Sequence, residues 1–240
     1  MHLFYAPDTS GEYVSLPPEE ARHAVQSLRL GIGETVHLTN GKGMRYVASI
    51  HETSKKGCTL RMVDEEAIPR ERPYGVHLAV APTKNINRME WLVEKATELG
   101  VESIRPILTF HSERRKLRLD RVERIAIAAM KQSQRSWLPA IKEPIVFEGF
   151  LDEDFGGSQK MLAYIDELVQ TELMHTYTPG NNVVIGIGPE GGFSAQEAEH
   201  AREKGFELVS LGPHRLRTET AALSALATIH FVNRFSTDKG

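Results

Sequence analysis

Two rhythms of apolar and polar positions divide the chain. Through about the first seventy residues the apolar positions fall in short alternating or β-branched runs, Val36–Thr39, Arg45–Ile50 and Thr59–Val63. Glycine-containing turns at Gly41–Gly43 and Lys56–Gly57 separate them. Runs of this kind predict short strands closed by tight turns, and together a small β-barrel. Glu19–Leu30 predicts one short helix ended by Gly31. The segment Ile68–Gly75 then brings two prolines among exposed charges, the composition of a domain boundary. The pattern therefore predicts a barrel over residues 1–72 and a second domain over 73–240.

In the second part strands and helices alternate. Val76–Ala81, Ile104–Leu108, Met161–Ile165, Val183–Ile187 and Leu208–Leu211 are apolar strand-length runs. Arg88–Leu99 has Met89, Leu92, Val93, Ala96 and Leu99 on one helical face, with Gly100 where a left-handed cap belongs. A second helix is predicted from Leu119 to Gln134, and further helices follow the last two strands. This alternation defines an α/β class with a mostly parallel sheet covered by helices on both faces.

Ligands of such sheets bind beyond the carboxyl ends of the strands. That singles out two loops, Gly188–Ser194 and Gly212–Glu219, each opening on Gly-Pro after an apolar strand and each running into a helix. In the first, Ser194 followed by Glu197 has capping-box spacing. Gly191 and Gly192 are expected to take positive φ and to let a ligand approach the backbone, with Pro189 stiffening the turn and Glu190 held between rigid neighbours. In the second, Arg215 and Arg217 flank Leu216, and Thr218 is the expected N-cap of a last helix over Glu219–Val232. Taken alone, the first loop is also consistent with a plain strand-to-helix turn, and the second with arginines paired to surface carboxylates before an Ala-rich run that simply favours a helix. Neither the Lys-Ser/Thr ending of a P-loop nor a G-x-G-x-x-G spacing is present.

Composition narrows the classes. The chain has 40% hydrophobic and 25% charged residues, as ordinary globular proteins do. Its single cysteine, Cys58, excludes an intrachain disulfide and a Cys-rich zinc site, and suits a cytoplasmic location. The N-terminal stretch does not read as a signal peptide, and no apolar run is long enough for a bilayer. The ten histidines show no short metal-ligand spacing, so no metal is expected. The net charge of −3 conceals a segment, Arg105–Arg135, with nine Lys/Arg against three Asp/Glu. Local positive charge of this kind serves either as a phosphate-binding surface or as a solvated helix face.

The two loops together are far more specific than either alone. Gly-Pro-Glu-Gly-Gly-Phe-Ser at 188–194, then Leu-Gly-Pro-His-Arg-Leu-Arg-Thr-Glu-Thr-Ala at 211–221, closely resembles the RsmE family of ribosomal small-subunit RNA uridine-N3 methyltransferases, within the SPOUT superfamily. Lys84, Arg88 and Val93–Val101 are similar to that family's first helix. Ser112–Arg114, Gln132–Arg135 and Leu138-Pro139 are similar to its basic middle segment, and His23 with Leu28–Gly31 to its PUA-like barrel. His2 and His214 depart from the pattern, where the family often carries a basic residue and an arginine.

The resemblance implies a trefoil-knotted C-terminal α/β domain behind a PUA-like barrel, and a homodimer that binds S-adenosyl-L-methionine. It maps the cofactor onto Ile187, Gly188, Gly191, Leu211, Gly212 and Leu216, with a contribution from Tyr164–Glu167. The implied reaction is methylation of uracil N3 in 16S ribosomal RNA, free or in the assembled 30S subunit. Arg217 is the expected cation beside the uracil anion, and Glu190 a candidate base or loop brace. Arg29, Arg114 and Arg135 are the expected phosphate contacts. Two rival readings predict different behaviour: a non-catalytic RNA-binding or ribosome-assembly module would bind RNA without the cofactor, and a phosphate- or acyl-binding enzyme would use Gly188–Gly192 as an anion cradle. Glu190 inside that cradle argues against the second.

Overall fold

The computed structural model describes residues 2–54, 57–165 and 171–237. Of the sequence-predicted features, Lys56 in the second hairpin turn and Asp166–Glu167 in the first expected knot loop lie outside them. The chain forms two compact units: one comprises Met1–Glu71 with Ile127–Leu138, the other Arg72–Ala126 with Pro139–Gly240.

The first unit opens with strands β1 (Leu3–Tyr5) and β2 (Tyr13–Ser15), a short helix α1 (Pro18–Arg22), and strands β3 (Thr35–Thr39), β4 (Met44–Thr53) and β5 (Cys58–Ala67). They make a five-stranded sheet in the order β1-β3-β4-β5-β2. Strand periodicity explains its core: Val36 and Leu38, then Tyr46, Ala48 and Ile50, then Cys58 and Leu60 are buried every second residue on one face. Register shifts near Val47/Ala48 and Ile50/Glu52 mark bulges, which bend the long β4–β5 pair.

The helix predicted over Glu19–Leu30 is corrected. α1 covers Pro18–Arg22 and passes into a π-helical turn over His23–Ser27. The left-handed residue that ends it is Arg29, at φ 56°, not Gly31, and Leu30 N–H donates back to Ala24 O at 3.1 Å. The 127–138 segment is fastened to this unit by the Lys131–Glu20 ion pair, by Arg45 donating to Gln134 O (2.6 Å) and by Trp137 Nε1 donating to Ile68 O (3.1 Å). Gly43, at φ 86°, lies where any Cβ would strike the Trp137 ring.

The second unit begins with β6 (Val76–Val80), α2 (Ile86–Glu98) and β7 (Ser103–Leu108). α3 (Leu119–Gln132), whose residues from Ile127 on belong to the first unit, β8 (Ala140–Ile141), β9 (Ile145–Val146), α4 (Phe147–Leu151) and β10 (Gln159–Ala163) follow. The remainder is α5 (Leu173–Thr176), β11 (Val183–Ile187), α6 (Ala195–Glu203), β12 (Glu207–Val209) and α7 (Thr218–Thr237). α3 ends two residues earlier than expected, because Gln134 adopts φ 57°. The sheet order is β12-β10-β11-β6-β7-β8, with β9 beside β7, and every pair is parallel. All five residues of central β11 are buried, as expected of a parallel strand covered on both faces. On α2 the buried face is Met89, Leu92, Val93, Ala96 and Thr97; Thr97 takes the place expected of Leu99, its hydroxyl donating to Val93 O at 2.7 Å. Gly100 has φ 77°, and its N–H donates to Thr97 O. An aromatic cluster of Phe147, Phe150, Phe193 and Phe206 packs with Leu162 and Val184 from β10 and β11.

Short strands and single-turn helices carry too few positions for a period, which is why β1, β2, β8, β9, α4 and α5 leave no clear pattern in the sequence. Parallel register then sets the site. Val80, Ile187 and Ala163 are aligned at the carboxyl ends of β6, β11 and β10, so the loops after these strands emerge at one edge.

Candidate active site

At that edge lies a cavity of about 220 Å³. Its walls include all six residues expected at the cofactor: Ile187, Gly188 and Gly191 from the loop after β11, and Leu211, Gly212 and Leu216 from the loop after β12. Ala163, Tyr164 and Ile165 close it from the end of β10. Glu190 and Arg215 also line it, whereas Arg217 is exposed and stands outside the lining.

The first loop is built around a turn in which Gly192 N–H donates to Pro189 O at 2.8 Å, with Gly192 at φ 71°. Gly191 does not take positive φ, contrary to expectation; its role is spatial, since a Cβ there would come within 3.0 Å of the His111 Cβ. His111 Nδ1 lies 3.1 Å from Gly192 O. A carbonyl only accepts, so this bond requires the Nδ1–H tautomer or the imidazolium. The capping box closes the loop: Glu197 N–H donates to Ser194 Oγ (3.2 Å) and Ser194 N–H to Glu197 Oε2 (2.8 Å). The other oxygen of buried Glu197 accepts from Phe110 N–H at 2.8 Å, which clamps the loop after β7 onto this one.

The second loop is tied to the first. Thr218 is corrected from N-cap to first residue of α7: Ala221 N–H donates to Arg217 O, so Arg217 occupies the capping position. The Thr218 hydroxyl instead donates across to Gly188 O at 3.1 Å. Gly212, at φ 110°, donates its N–H to Ser210 Oγ at 3.1 Å.

A third segment braces the rim. Glu190 Oε1 accepts from Lys84 N–H at 3.1 Å, and Arg114 donates through Nε to Thr83 O (3.0 Å) and through Nη2 to Lys84 O (2.8 Å). The Lys84 ammonium pairs with Glu113 at 2.8 Å; that bond, the attraction of the Glu113 carboxylate and the more distant Glu190 raise its pKa. Arg114 therefore acts as a strut of this loop, with its guanidinium committed to carbonyls rather than held out as a phosphate contact. Of the other expected RNA contacts, both in the first unit, Arg135 pairs with Glu71 at 3.1 Å and Arg29 is exposed. Sequence reasoning assigns no role to His111 or Phe110; their position just before Ser112–Arg114, at the end of a predicted strand, is the signal that marks them.

Comparison with known proteins agrees with this anatomy. Residues 70–230 match a family model described as an RNA methyltransferase domain, and residues 16–63 one described as an RNA methyltransferase PUA domain. The structure of a probable rRNA-methyltransferase from Porphyromonas gingivalis is similar, with a TM-score of 0.91 and 39% identity over 98% of this chain and 100% of that one. So is a ribosomal RNA small subunit methyltransferase E from Neisseria gonorrhoeae bound to S-adenosyl methionine, with a TM-score of 0.87 and 31% identity over 97% and 98% of the two chains. The protein is thus of the class that joins an RNA methyltransferase domain to a PUA domain. Ribosomal RNA small subunit methyltransferase E of Aquifex aeolicus is 32% identical over 95% of this chain and 99% of its own length. The chain belongs to the ribosomal RNA small subunit methyltransferase E family. Among the described residues no helix is long and apolar enough to cross a membrane, and no cluster of three His, Cys, Asp or Glu side chains is placed to hold a metal ion.

Proposed function

We propose that this chain methylates N3 of a uridine in small-subunit (16S) ribosomal RNA, using S-adenosyl-L-methionine, as a cytoplasmic homodimer whose C-terminal segment is threaded as a trefoil knot. The observation that carries the reading is the single cavity formed by Ile187, Gly188, Gly191, Leu211, Gly212 and Leu216 at the carboxyl edge of the parallel sheet.

The cavity suits the cofactor chemically. A Cβ built at Gly192 or Gly212 would meet nothing within 4 Å, so backbone is open to a ligand there, and Ile187, Leu211 and Leu216 offer apolar walls to an adenine. The Glu190 carboxylate on the wall has the sign that favours a sulfonium and repels a phosphate, which disfavours an anion cradle. Bound there, S-adenosyl-L-methionine supplies an electrophilic methyl group.

The chain's own residues do the rest. The loops hold the two reactants in line, an effect worth about 7 to 11 kcal/mol at its limit. Arg217, exposed at the start of α7, is the cation that steadies the uracil anion, an electrostatic contribution of about 3 kcal/mol. Glu190 Oε1 is held by Lys84 N–H, and its other oxygen is the acceptor for the N3 proton. Arg29 is the proposed phosphate contact in the PUA unit.

Nucleoside mass spectrometry of small-subunit RNA from cells lacking this protein tests the reading, together with calorimetry of the purified protein with S-adenosyl-L-methionine. Loss of one 3-methyluridine and measurable cofactor binding are expected. An undiminished 3-methyluridine level sinks the reading, and RNA binding without cofactor binding points to an assembly module.

A further inference from the structure

The loop after β7 presents an aromatic ring to solvent beside the glycine loop of the cavity. Phe110 is 75% exposed, among the most exposed large apolar side chains described. Its ring meets that of His111 edge-on, centroids 5.0 Å apart at 75°. The backbone beneath is fixed at four points. Thr109 N–H donates to Ser112 Oγ (2.9 Å) and Phe110 N–H to buried Glu197 (2.8 Å); His111 bonds Gly192 O (3.1 Å), and Arg114 binds the carbonyls of Thr83 and Lys84. A loop held this firmly that still exposes a phenyl ring loses hydrophobic burial for a surface already ordered to receive something flat.

The surroundings identify the occupant. Phe110 lines an open groove with Val146 and Arg115, and Glu148, Glu199, His200 and Glu203 are among its other walls. Even with Glu199 paired to Arg202 at 3.7 Å, the exposed carboxylates of the groove outnumber its one guanidinium, which disfavours a phosphate chain, whereas carboxylates accept hydrogen bonds from the amino groups of a base. Methylating a base within RNA requires an unpaired nucleotide, and unpaired bases are held by stacking on aromatic side chains. His111 touches the cavity loop through Gly191 and Gly192, so the groove borders the site of reaction.

We infer that Phe110, backed by His111, is a stacking platform that receives an unpaired base of the RNA next to the methylated uridine. The inference rests on the proposed methyltransferase reaction and adds to it a residue that selects single-stranded RNA.

Small-subunit particles from cells lacking the protein serve as substrate. F110A raises KM for the particles by about 5- to 100-fold, the loss expected when one base loses its aromatic partner. It leaves kcat at saturating particles and calorimetric affinity for S-adenosyl-L-methionine nearly unchanged, and F110W restores KM. Particle binding also quenches the emission of the F110W variant beyond that of the unsubstituted protein. An F110A variant with unchanged KM, or F110W emission indifferent to bound particles, overturns the platform. Inactivity of the unsubstituted protein counts against the reaction instead, and the F110W quenching then decides the platform by itself.

Discussion

Arg88 Nε lies 3.6 Å from Glu219 Oε1, joining the first turn of α2 to the first turn of α7. Glu219 is only 8% exposed while Arg88 is 35% exposed, and Glu219 Oε2 is buried without a hydrogen-bond partner among the described residues. A carboxylate so placed depends on one guanidinium and on the α7 N-terminus, whose partial positive charge favours an acidic residue there. Removing the cation alone is therefore worse than removing the charge it serves. We expect Arg88→Met to destabilise the protein by about 2 kcal/mol and Glu219→Gln by about 1 kcal/mol or less, discounted for the solvent around Arg88. The double variant should recover part of the loss, read from urea unfolding midpoints; strictly additive losses would show that the pair does not interact.

Thr218 joins the two loops of the cavity by a single hydroxyl bond to Gly188 O. Thr218→Val keeps the volume and removes the donor, so we expect a loss of about 1 kcal/mol in stability and a fall in affinity for S-adenosyl-L-methionine. Thr218→Ser should retain both. Calorimetry separates the cases, and equal affinities for the Val and Ser variants would remove the bond from cofactor binding.

The strands of the large parallel sheet and the places of both site loops were legible because the patterns that mark them are local. β11 matched its predicted span, and the Ser194–Glu197 box formed as its spacing required. What the sequence concealed depends on partners distant along the chain. Gly191 is a glycine because of His111, eighty residues earlier, and Thr218 bonds Gly188 instead of capping its own helix. Arg114, expected as a phosphate contact in a basic run, instead donates to two carbonyls some thirty residues earlier in the chain, Thr83 O and Lys84 O. The helix expected over Glu19–Leu30 is not continuous because α1 passes into a π-helical turn at His23, and Arg29 then turns left-handed before the predicted glycine.

Arg217 caps α7 with its carbonyl, while its exposed side chain stands outside the cavity. Arg217→Ala leaves that carbonyl in place, so the fold and cofactor affinity should survive. Turnover should fall about 100-fold if the guanidinium steadies the uracil anion. Single-turnover methylation with saturating RNA measures this. Arg215 lines the cavity, and Arg215→Ala should instead weaken cofactor binding. A reversal of the two phenotypes would exchange their roles.

Cys58 is buried beneath the first sheet at 2% exposure, and burial raises its thiol pKa. The native chain keeps this proton at pH values where the unfolded chain begins to release it. The contribution to stability is therefore present below the ordinary thiol range and declines as pH rises through it. Because the thiolate is the reactive form, alkylation at neutral pH should be slow in native protein and rapid in urea. Fast modification without unfolding, followed by mass spectrometry, would contradict the buried placement.

Arg114 and Arg29 separate strut from phosphate contact. Arg114 holds Thr83 O and Lys84 O with one planar fork, and the Lys84 N–H in turn holds Glu190. A lysine offers no such fork, so Arg114→Lys should impair turnover nearly as much as Arg114→Ala. A phosphate contact behaves otherwise. It releases counterions, and its removal reduces the slope of log affinity against log salt by about 0.7 to 0.9 per phosphate. Arg29→Ala should lower that slope while both Arg114 variants leave it unchanged. A reduced slope in Arg114→Ala that Arg114→Lys restores would return the guanidinium to the RNA and leave Glu190 to be held by Lys84 alone.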